Sequence, residues 1–112
     1  MLPKKQRVRL KKDFDNVFKA GQSLRDKLLL LRFVKNDLSF CRGAVIVQAK
    51  LVPRAVLRNK IKRTISEILA DTFPKCKVKV DALIIVRSDL KDKKFSEIRA
   101  SLLEIFKKAN IV

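Results

Sequence analysis

Apolar residues recur at intervals of three and four along three stretches of the chain, the spacing that places them on one face of an α-helix. The first stretch ends at Gly21, a residue type that commonly follows the last turn of a helix. The second starts at Pro53, whose missing N–H would be unpaired in a first turn anyway, and ends near Asp71. The third follows Asp92, a candidate N-cap. The apolar positions of these predicted helices are Leu10, Phe14, Val17 and Phe18; Leu57, Ile61, Ile65, Ile68 and Leu69; and Phe95, Ile98, Leu102, Ile105, Phe106 and Ala109.

Continuous apolar runs predict the strands. The runs KLLLLRFVK (27–35) and GAVIVQA (43–49) are separated by the turn-rich NDLSFCR, and we expect them to be neighbouring strands. The run DALIIVR (81–87) is almost entirely apolar, which is typical of a strand that is central in a sheet. The predicted order is α-β-β-α-β-α, with a further short strand before the second helix. We see no repeat or linker, so we expect residues 1–112 to form one domain.

The chain is strongly basic. Its 112 residues include 28 Lys and Arg against 11 Asp and Glu, a formal net charge of +17. A polyanion is the usual partner of such a protein, because cations that neutralise phosphates release condensed counterions. A membrane-binding protein would concentrate these residues in a polybasic tail, whereas here they are spread through segments with core periodicity. We therefore expect a nucleic acid as the partner, with no membrane and no small-molecule substrate.

The residue types exclude several kinds of catalytic and metal site. The sequence has no histidine, which rules out Ser-His and Cys-His nucleophile pairs, and Cys41 and Cys76 cannot supply four zinc ligands. We interpret the two cysteines as small buried residues in a reducing compartment. Asp13 and Asp15 do not converge on a helix, so we interpret them as helix-start charges rather than as a metal pair. We expect the protein itself to bind no cofactor.

The sequence indicates no targeting or membrane segment. The basic start MLPKKQRVRLKK is not followed by the apolar region of a secretory signal. The run LLLLRFV is interrupted by Arg32 and is too short to span a bilayer. We expect a soluble, cytoplasmic protein.

The second predicted helix is basic in its first half. The stretch VPRAVLRNKIKR (52–63) holds five cations near the positive end of the helix dipole, where acidic residues are normally stabilising. Pairs such as Arg54/Arg58 and Arg58/Lys62 also repel each other at a spacing of four residues. A basic helix face is usually just solvated, but bound phosphates would reverse both unfavourable effects. We therefore interpret this segment as a phosphate-binding surface.

The same segment resembles the signature of bacterial ribonuclease P protein components. AVLRNKIKRTISE (55–67) matches the family pattern A-V-x-R-N-R-I-K-R, with Lys60 in place of an Arg. RLKKDFDNVFKAG (9–21) is similar to the family's first helix, with its R-L and F-x-x-V-F-K-x-G elements, and DALIIVR fits the strand after the signature helix. The resemblance covers essentially the whole chain.

The chain also departs from the family pattern. Ahead of the signature the family usually has S-K-K-x-G-N, where this chain has AKLVPR (49–54), so that Leu51, Pro53 and Arg54 replace a Lys, a Gly and an Asn. Arg32 stands where many relatives present an aromatic residue to the substrate. A cation at this position would act by charge or by a cation–π contact.

The resemblance implies a fold and a function. The implied fold is a two-layer α/β (α+β) sandwich, like the second domain of ribosomal protein S5, in which three helices cover a mainly antiparallel sheet with a left-handed β-α-β crossover. The implied function is that of the protein subunit of the ribonucleoprotein that removes the 5′ leader from precursor tRNA. Its partners would be the ribonuclease P RNA and precursor tRNA. The RNA would carry the chemistry, and the RNA–protein holoenzyme would require Mg²⁺.

Two groups of residues are the candidate binding sites, and no residue is expected to be catalytic. The group expected to contact the ribonuclease P RNA is Lys50, Arg54, Arg58, Asn59, Lys60, Lys62 and Arg63. The group expected to line a cleft for the leader is Phe14, Phe18, Arg32, Arg9 and Lys11, since aromatic rings stack bases and cations follow the backbone. An alternative for Phe14 and Phe18 is that they simply fill the core.

Two other classes of protein stay open at this point. A structural ribosomal protein is equally small and basic and also mixes helices with strands, so composition does not separate it from the first interpretation. A protein-only nuclease would need catalytic residues, and none is visible in the sequence.

Overall fold

The computed structural model describes residues 2–90 and 92–112. Over these residues the chain forms three α-helices, two short 3-10 turns and one four-stranded sheet. The elements are α1 (Lys11–Ala20), β1 (Gln22–Arg25), β2 (Leu29–Lys35), β3 (Arg42–Ile46), α2 (Ala55–Thr72), β4 (Val80–Val86) and α3 (Phe95–Lys108), with 3-10 turns at Lys4–Gln6 and Phe73–Lys75. The predicted α+β order is confirmed, and the additional short strand is β1.

The strand order in the sheet is β1-β2-β4-β3. β2 is antiparallel to both β1 and β4, whereas β3 is parallel to β4 and connected to it through α2. The prediction that the runs 27–35 and 43–49 are neighbours is wrong, because β4 lies between them. β4 is buried along nearly its whole length, as its apolar run predicted. Apolar side chains on both faces of a strand are removed from water most completely when the strand lies in the middle of a sheet. This explains the central position of β4.

The helices lie on both faces of the sheet. α2 and α3 cover one face, where Leu31 of β2 and Ile84 of β4 belong to the main core. Val17 of α1 packs with Leu83 of β4 in a smaller cluster. Because successive strand residues point to opposite faces, α1 lies on the other face from α2 and α3. The main core also contains the predicted apolar faces of α2 and α3, namely Ile61, Ile65, Ile68, Leu69, Ile98, Leu102, Ile105 and Phe106.

α1 leaves part of its face of the sheet uncovered. Leu30, Ile85 and Ile46 are partners across three adjacent strands on this face. All three are half-buried, whereas Leu83 in the next row is fully buried with Val17 of α1. We call these three residues the open floor.

The starts of α2 and α3 lie later in the sequence than predicted. Pro53 precedes the N-cap Arg54 and is outside α2. The N-cap of α3 is Lys94 rather than Asp92. In α3 the side chain of Glu97 accepts a hydrogen bond from the Lys94 N–H at 3.3 Å, so the first turn is satisfied from within the helix.

Gly21 caps α1 as predicted. The need for glycine at this position does not come from a left-handed backbone conformation. Its φ is −77°, and its N–H donates to the carbonyl oxygen of Val17 at 2.9 Å. A Cβ at this position would lie 2.2 Å from the Val17 carbonyl oxygen and 2.9 Å from that of Phe33. Glycine is therefore required because the end of α1 and strand β2 approach it closely.

We expect Gly21→Ala to lower the free energy of unfolding by ~1–3 kcal/mol, because backbone atoms of α1 and β2 must move to admit a methyl group. Chemical denaturation followed by circular dichroism would measure the change. Gln22→Ala, at the exposed neighbouring position, should change stability by less than about 0.5 kcal/mol. Equal effects of the two substitutions would contradict the close approach.

Cys41 and Cys76 are free and buried, as predicted. Their thiols affect each other: the neighbouring Cys76 lowers the pKa of Cys41, whereas Cys41 and burial both raise the pKa of Cys76. The thiols donate to the carbonyl oxygens of Val78 at 3.6 Å and Thr72 at 3.5 Å, respectively. The pair contributes to the main core beneath α2 and α3.

Candidate nucleic-acid interface

Most of the cations in the first half of α2 are exposed. Arg54, Lys60, Lys62 and Arg63 all point into solvent, and so does Asn59. The first turn of α2 contains no acidic residue. The basic surface predicted from the sequence is therefore present, and it surrounds the buried face of α2 without interrupting it. We call Asn59, Lys60, Lys62 and Arg63 the α2 basic face.

Arg58 is held differently from the other cations of α2. It is half-buried, and its Nη1 donates to the carbonyl oxygens of Val52 at 2.9 Å and Pro53 at 2.8 Å. Val52 is itself buried in the core. Arg58 therefore fixes the segment that leads into α2, in addition to any contact that it makes with a ligand.

The α2 basic face borders two shallow cavities. Asn59, Lys62 and Arg63 line one of about 280 Å³ together with Ser66. Lys62 and Ser66 also line a cavity of about 220 Å³, whose other side includes Arg7 of the N-terminal segment. The basic surface thus continues from α2 towards the N-terminal segment.

The N-terminal segment is attached to the free edge of β3. Arg7 pairs with Gly43 in a parallel bridge, and the Val8 N–H donates to the Gly43 carbonyl oxygen at 3.0 Å. The Arg7 Nε donates to the Leu2 carbonyl oxygen at 2.9 Å. These contacts bring Arg9 and Lys11 to the start of α1, where both are exposed.

Phe18 and Phe14 lie on α1 but in different environments. The side chain of Phe18 is 45% exposed, so the alternative that it fills the core is wrong. Phe14 is half-buried against the cluster of Val8, Val17 and Leu83. The two aromatic residues are therefore not equivalent, and Phe18 is the one available to a ligand.

Arg32 is committed to contacts within the protein. Its guanidinium donates to the Ser23 hydroxyl at 2.6 Å and to the carbonyl oxygen of Phe18 at the end of α1. Its Nε is buried and has no hydrogen-bond partner among the residues that the structure describes. Arg32 therefore joins the last turn of α1 to the sheet through the backbone of Phe18.

The predicted cleft residues do not all meet at one place. Phe18 and Arg32 lie at the C-terminal end of α1, whereas Lys11 is its first residue and Arg9 precedes it. Lys11 and Phe18 are seven positions apart in this helix, or ~10 Å along the axis. The exposed aromatic residue therefore lies at the C-terminal end of α1, and the two cations lie at its N-terminal end.

Lys50 lies away from the α2 basic face. It lines a cavity of about 450 Å³ together with Gln48, Ile85 and Arg87. Because Ile85 belongs to the open floor, this cavity lies at the uncovered part of the α1 face. Arg87 was not predicted as a site residue. The available signal was its position directly after the apolar run of β4, where a cation indicates that the strand reaches solvent.

The ion pair that anchors α1 was not predicted from the sequence. Asp81 is 3% exposed and accepts two hydrogen bonds from Arg42, from Nε at 2.9 Å and from Nη2 at 2.5 Å. The Asn36 amide donates to the same carboxylate at 2.9 Å. Arg42 also reaches Asp13 of α1 at 3.4 Å, and its hydrogen bonds to Asp81 raise its pKa. Asp13 is thus a charge in the first turn of α1, as predicted, with a partner that the sequence did not indicate.

Residues 2–90 and 92–112 contain no group of His, Cys, Asp and Glu side chains that could hold a metal ion. No helix among them is both long and apolar enough to cross a membrane.

Comparisons with known proteins agree with the geometry. Residues 2–110 match the family model described as Ribonuclease P. The ribonuclease P protein component of Clostridium botulinum strain 657 is 36% identical over 109 residues, which cover 96% of this chain and 97% of the relative. That of Syntrophomonas wolfei is 32% identical over 111 residues, covering 99% and 92%.

Solved structures show the same similarity. A mutant of the Staphylococcus aureus RNase P protein superposes with a TM-score of 0.88 at 30% identity, covering 97% of this chain and 92% of that one. The Thermotoga maritima RNase P protein gives a TM-score of 0.82 at 31% identity, covering 91% and 96%. The matches extend over nearly the full length of each partner and confirm the resemblance that the basic helix indicated. The chain therefore belongs to the ribonuclease P protein family and is a protein component of ribonuclease P of the bacterial type.

Proposed function

We propose that the protein binds the ribonuclease P RNA through the α2 basic face and the 5′ leader of precursor tRNA along α1. In this way it would assist the endonucleolytic removal of the leader in the cytoplasm. The observation that carries the proposal is the exposure of Lys60, Lys62 and Arg63 on the first half of α2, with no acidic residue in its first turn. A structural ribosomal protein is the less favoured alternative, because the family match is to ribonuclease P.

The cations in the first half of α2 destabilise the helix when no ligand is bound, and this favours RNA as the ligand. Cations near the positive end of a helix dipole cost a few tenths of a kcal/mol each, and so do like charges four residues apart. Phosphates would turn both effects into attractions, since the dipole and the side chains favour the same anion. The Asn59 amide lies among these cations and can bond to a nucleotide edge or fix a phosphate.

The proposal gives Arg58, Arg54 and Lys50 more specific roles. Arg58 holds the backbone of Val52 and Pro53, so it positions the segment that carries Arg54 and Lys50. Lys50 would contact the RNA separately, at the cavity that it shares with Arg87 beside the open floor.

We propose that the leader lies along α1. Phe18 offers an exposed ring at the end of α1, and single-stranded bases stack on such rings in a sequence-tolerant way. Arg9 and Lys11 at the other end of α1 can follow the leader's backbone. Arg32 supports this site by holding the last turn of α1, and Phe14 supports it from within the small cluster.

The hydrolysis itself is assigned to the RNA subunit. The sequence contains no histidine, and the proposed role of the protein is binding and positioning. Mg²⁺ held by the RNA would generate the hydroxide that attacks the phosphodiester.

We expect Phe18→Ala to weaken binding of precursor tRNA to the reconstituted complex by roughly 5- to 100-fold, because one stacked base is lost. Binding of mature tRNA, which has no leader, should be unchanged. The fold should survive because the ring is 45% exposed. Binding titrations with both RNAs, together with melting curves of the protein, would measure this.

A matched control is Leu38→Ala, which removes an exposed apolar side chain from the β2–β3 connection. It should affect neither RNA. If Phe18→Ala weakened binding of precursor and mature tRNA equally, the assignment of Phe18 to the leader site would be wrong.

The function as a whole is tested by reconstitution. The full chain is added to a bacterial ribonuclease P RNA at low Mg²⁺, and cleavage of precursor tRNA is followed. We expect clear stimulation over the RNA by itself. If the protein neither binds this RNA nor stimulates cleavage, the proposed function is wrong.

A further inference from the structure

A groove between α2 and the start of α3 lies outside the sites described so far. It has a volume of about 290 Å³. Its apolar surface is formed by Leu57 and Ile61 of α2, by Leu90, and by Ile98 of α3. Lys60 and Lys93 also line it. The groove thus combines an apolar surface with two cations.

Phe95 forms one side of this groove and is unusually exposed for a phenylalanine. It is the first residue of α3, and 48% of its surface is accessible to solvent. Ile98, one turn later, is buried and secures the helix to the core without help from Phe95. The ring of Phe95 is therefore not required by the packing of α3, and it faces a space in which a flat ligand can contact it.

We propose that this groove binds one unpaired nucleotide of the partner RNA, with the base stacked against Phe95 and a phosphate bound by Lys60 and Lys93. The proposal rests on the function proposed above, because Lys60 belongs to both the α2 basic face and the groove. It extends the RNA contact from α2 to the start of α3.

Three properties of the groove favour a nucleotide over other ligands. A nucleotide has a flat, largely apolar base next to an anion, which matches an apolar surface with an aromatic side and two lysines. The volume of about 290 Å³ is at the lower end of the range for ligand pockets and suits a single base better than a folded partner. The groove is also continuous with the α2 basic face through Lys60, so one RNA can occupy both.

A photocrosslinking experiment tests the proposal directly. The full chain carries p-benzoylphenylalanine in place of Phe95 and is irradiated in complex with a bacterial ribonuclease P RNA. We expect a crosslink to an unpaired nucleotide, mapped by reverse transcription. The same photoreactive residue in place of Asn59 serves as the reference on the α2 basic face.

The reference separates the two levels of the hypothesis. Crosslinks from position 59 without any from position 95 would overturn the groove proposal and leave the proposed function intact. An absence of crosslinks from both positions would overturn both. A crosslink from position 95 to a second copy of the protein, and not to RNA, would assign the groove to a protein contact and also overturn the proposal.

Affinity measurements give an independent test. Phe95→Ala should weaken binding of the ribonuclease P RNA by about tenfold, because one stacked base is lost, whereas Phe95→Trp should retain it. Leu38→Ala, on an exposed loop away from the groove, is the control and should have no effect. Melting curves verify that each variant is folded. Equal RNA affinities of the folded Phe95→Ala and wild-type proteins would overturn the proposal.

Discussion

Replacing Asp81 with alanine should lower the free energy of unfolding by ~3 kcal/mol, a large part of the ~5–15 kcal/mol that a small domain possesses. The carboxylate of Asp81 is almost fully buried and accepts both hydrogen bonds of a bidentate pair with Arg42. Removing it leaves the guanidinium of Arg42 partly buried without its principal partner. Asn36 loses an acceptor at the same time. Urea denaturation of the two proteins would measure the difference.

Asp13→Ala is the matched control for this prediction. Asp13 contacts the same guanidinium, but at 3.4 Å and on the side of α1. Its loss should cost about 1 kcal/mol or less, because the Arg42–Asp81 pair remains. The double variant Arg42→Ala/Asp81→Ala should be less destabilised than the sum of the two single variants. Additive effects would show that the two side chains do not act as a pair.

The same pair also positions the proposed leader site on α1. Arg42 connects the buried carboxylate in the sheet to the first turn of α1, and Arg32 connects the sheet to its last turn. α1 is therefore held at both ends. Asp13→Ala should loosen one end without unfolding the protein, so we expect it to weaken precursor tRNA binding while leaving binding of the ribonuclease P RNA through α2 unchanged.

The combined substitution Lys62→Ala/Arg63→Ala should weaken binding of the ribonuclease P RNA by roughly 10- to 100-fold at moderate salt. Each phosphate contact contributes about one unit to the slope of log affinity against log salt concentration, so the slope should fall by about two units. Both side chains are exposed and lie outside the buried face of α2, so the melting temperature should change little. Titrations at several salt concentrations would measure affinity and slope together.

Lys107→Ala/Lys108→Ala provides the charge-matched control. It removes the same number of positive charges from the last turn of α3, where both lysines are exposed. If affinity depended on net charge in general, the two double variants would behave alike. We expect the α3 variant to retain nearly the full salt slope, and an equal loss in both would contradict a specific RNA surface on α2.

Arg58 is better tested separately. Because its guanidinium bonds to the backbone of Val52 and Pro53, Arg58→Ala removes a structural contact as well as a charge. A loss of RNA affinity in that variant would not distinguish the two causes. Lys62 and Arg63 are therefore the cleaner choice.

The sequence was sufficient for features that depend on local pattern. The buried face of α2, with Ile61, Ile65 and Ile68, follows from helical spacing because burial of apolar area dominates folding energetics. The central place of β4 follows from an apolar run that no exposed strand would carry. The family could also be recognised, because its R-N-x-I-K-R motif is contiguous in the sequence. The charges of this motif oppose the helix dipole, which indicated an anionic ligand.

The tertiary structure decided which elements share a surface. Local spacing indicates which face of an element is apolar, but it does not indicate the element that covers it. The insertion of β4 between β2 and β3 is such a case, and so is the pairing of Arg42 with Asp81, which lie 39 residues apart. The exposure of Phe18 is another, since it has the helical spacing of the buried Val17 and Phe14 cluster but is left 45% exposed at the end of α1.

The set of helices and strands, the basic character of α2 and the family could be predicted from the sequence, since each is encoded within short segments of the chain. The roles of individual side chains depend on the folded arrangement. Arg32 and Arg58 are cations of the same kind as Lys62 in the sequence, yet the first two donate to carbonyl oxygens while Lys62 remains exposed. The physical reason is that a buried or half-buried guanidinium must find acceptors, and those acceptors are supplied by backbone that approaches it when the chain folds.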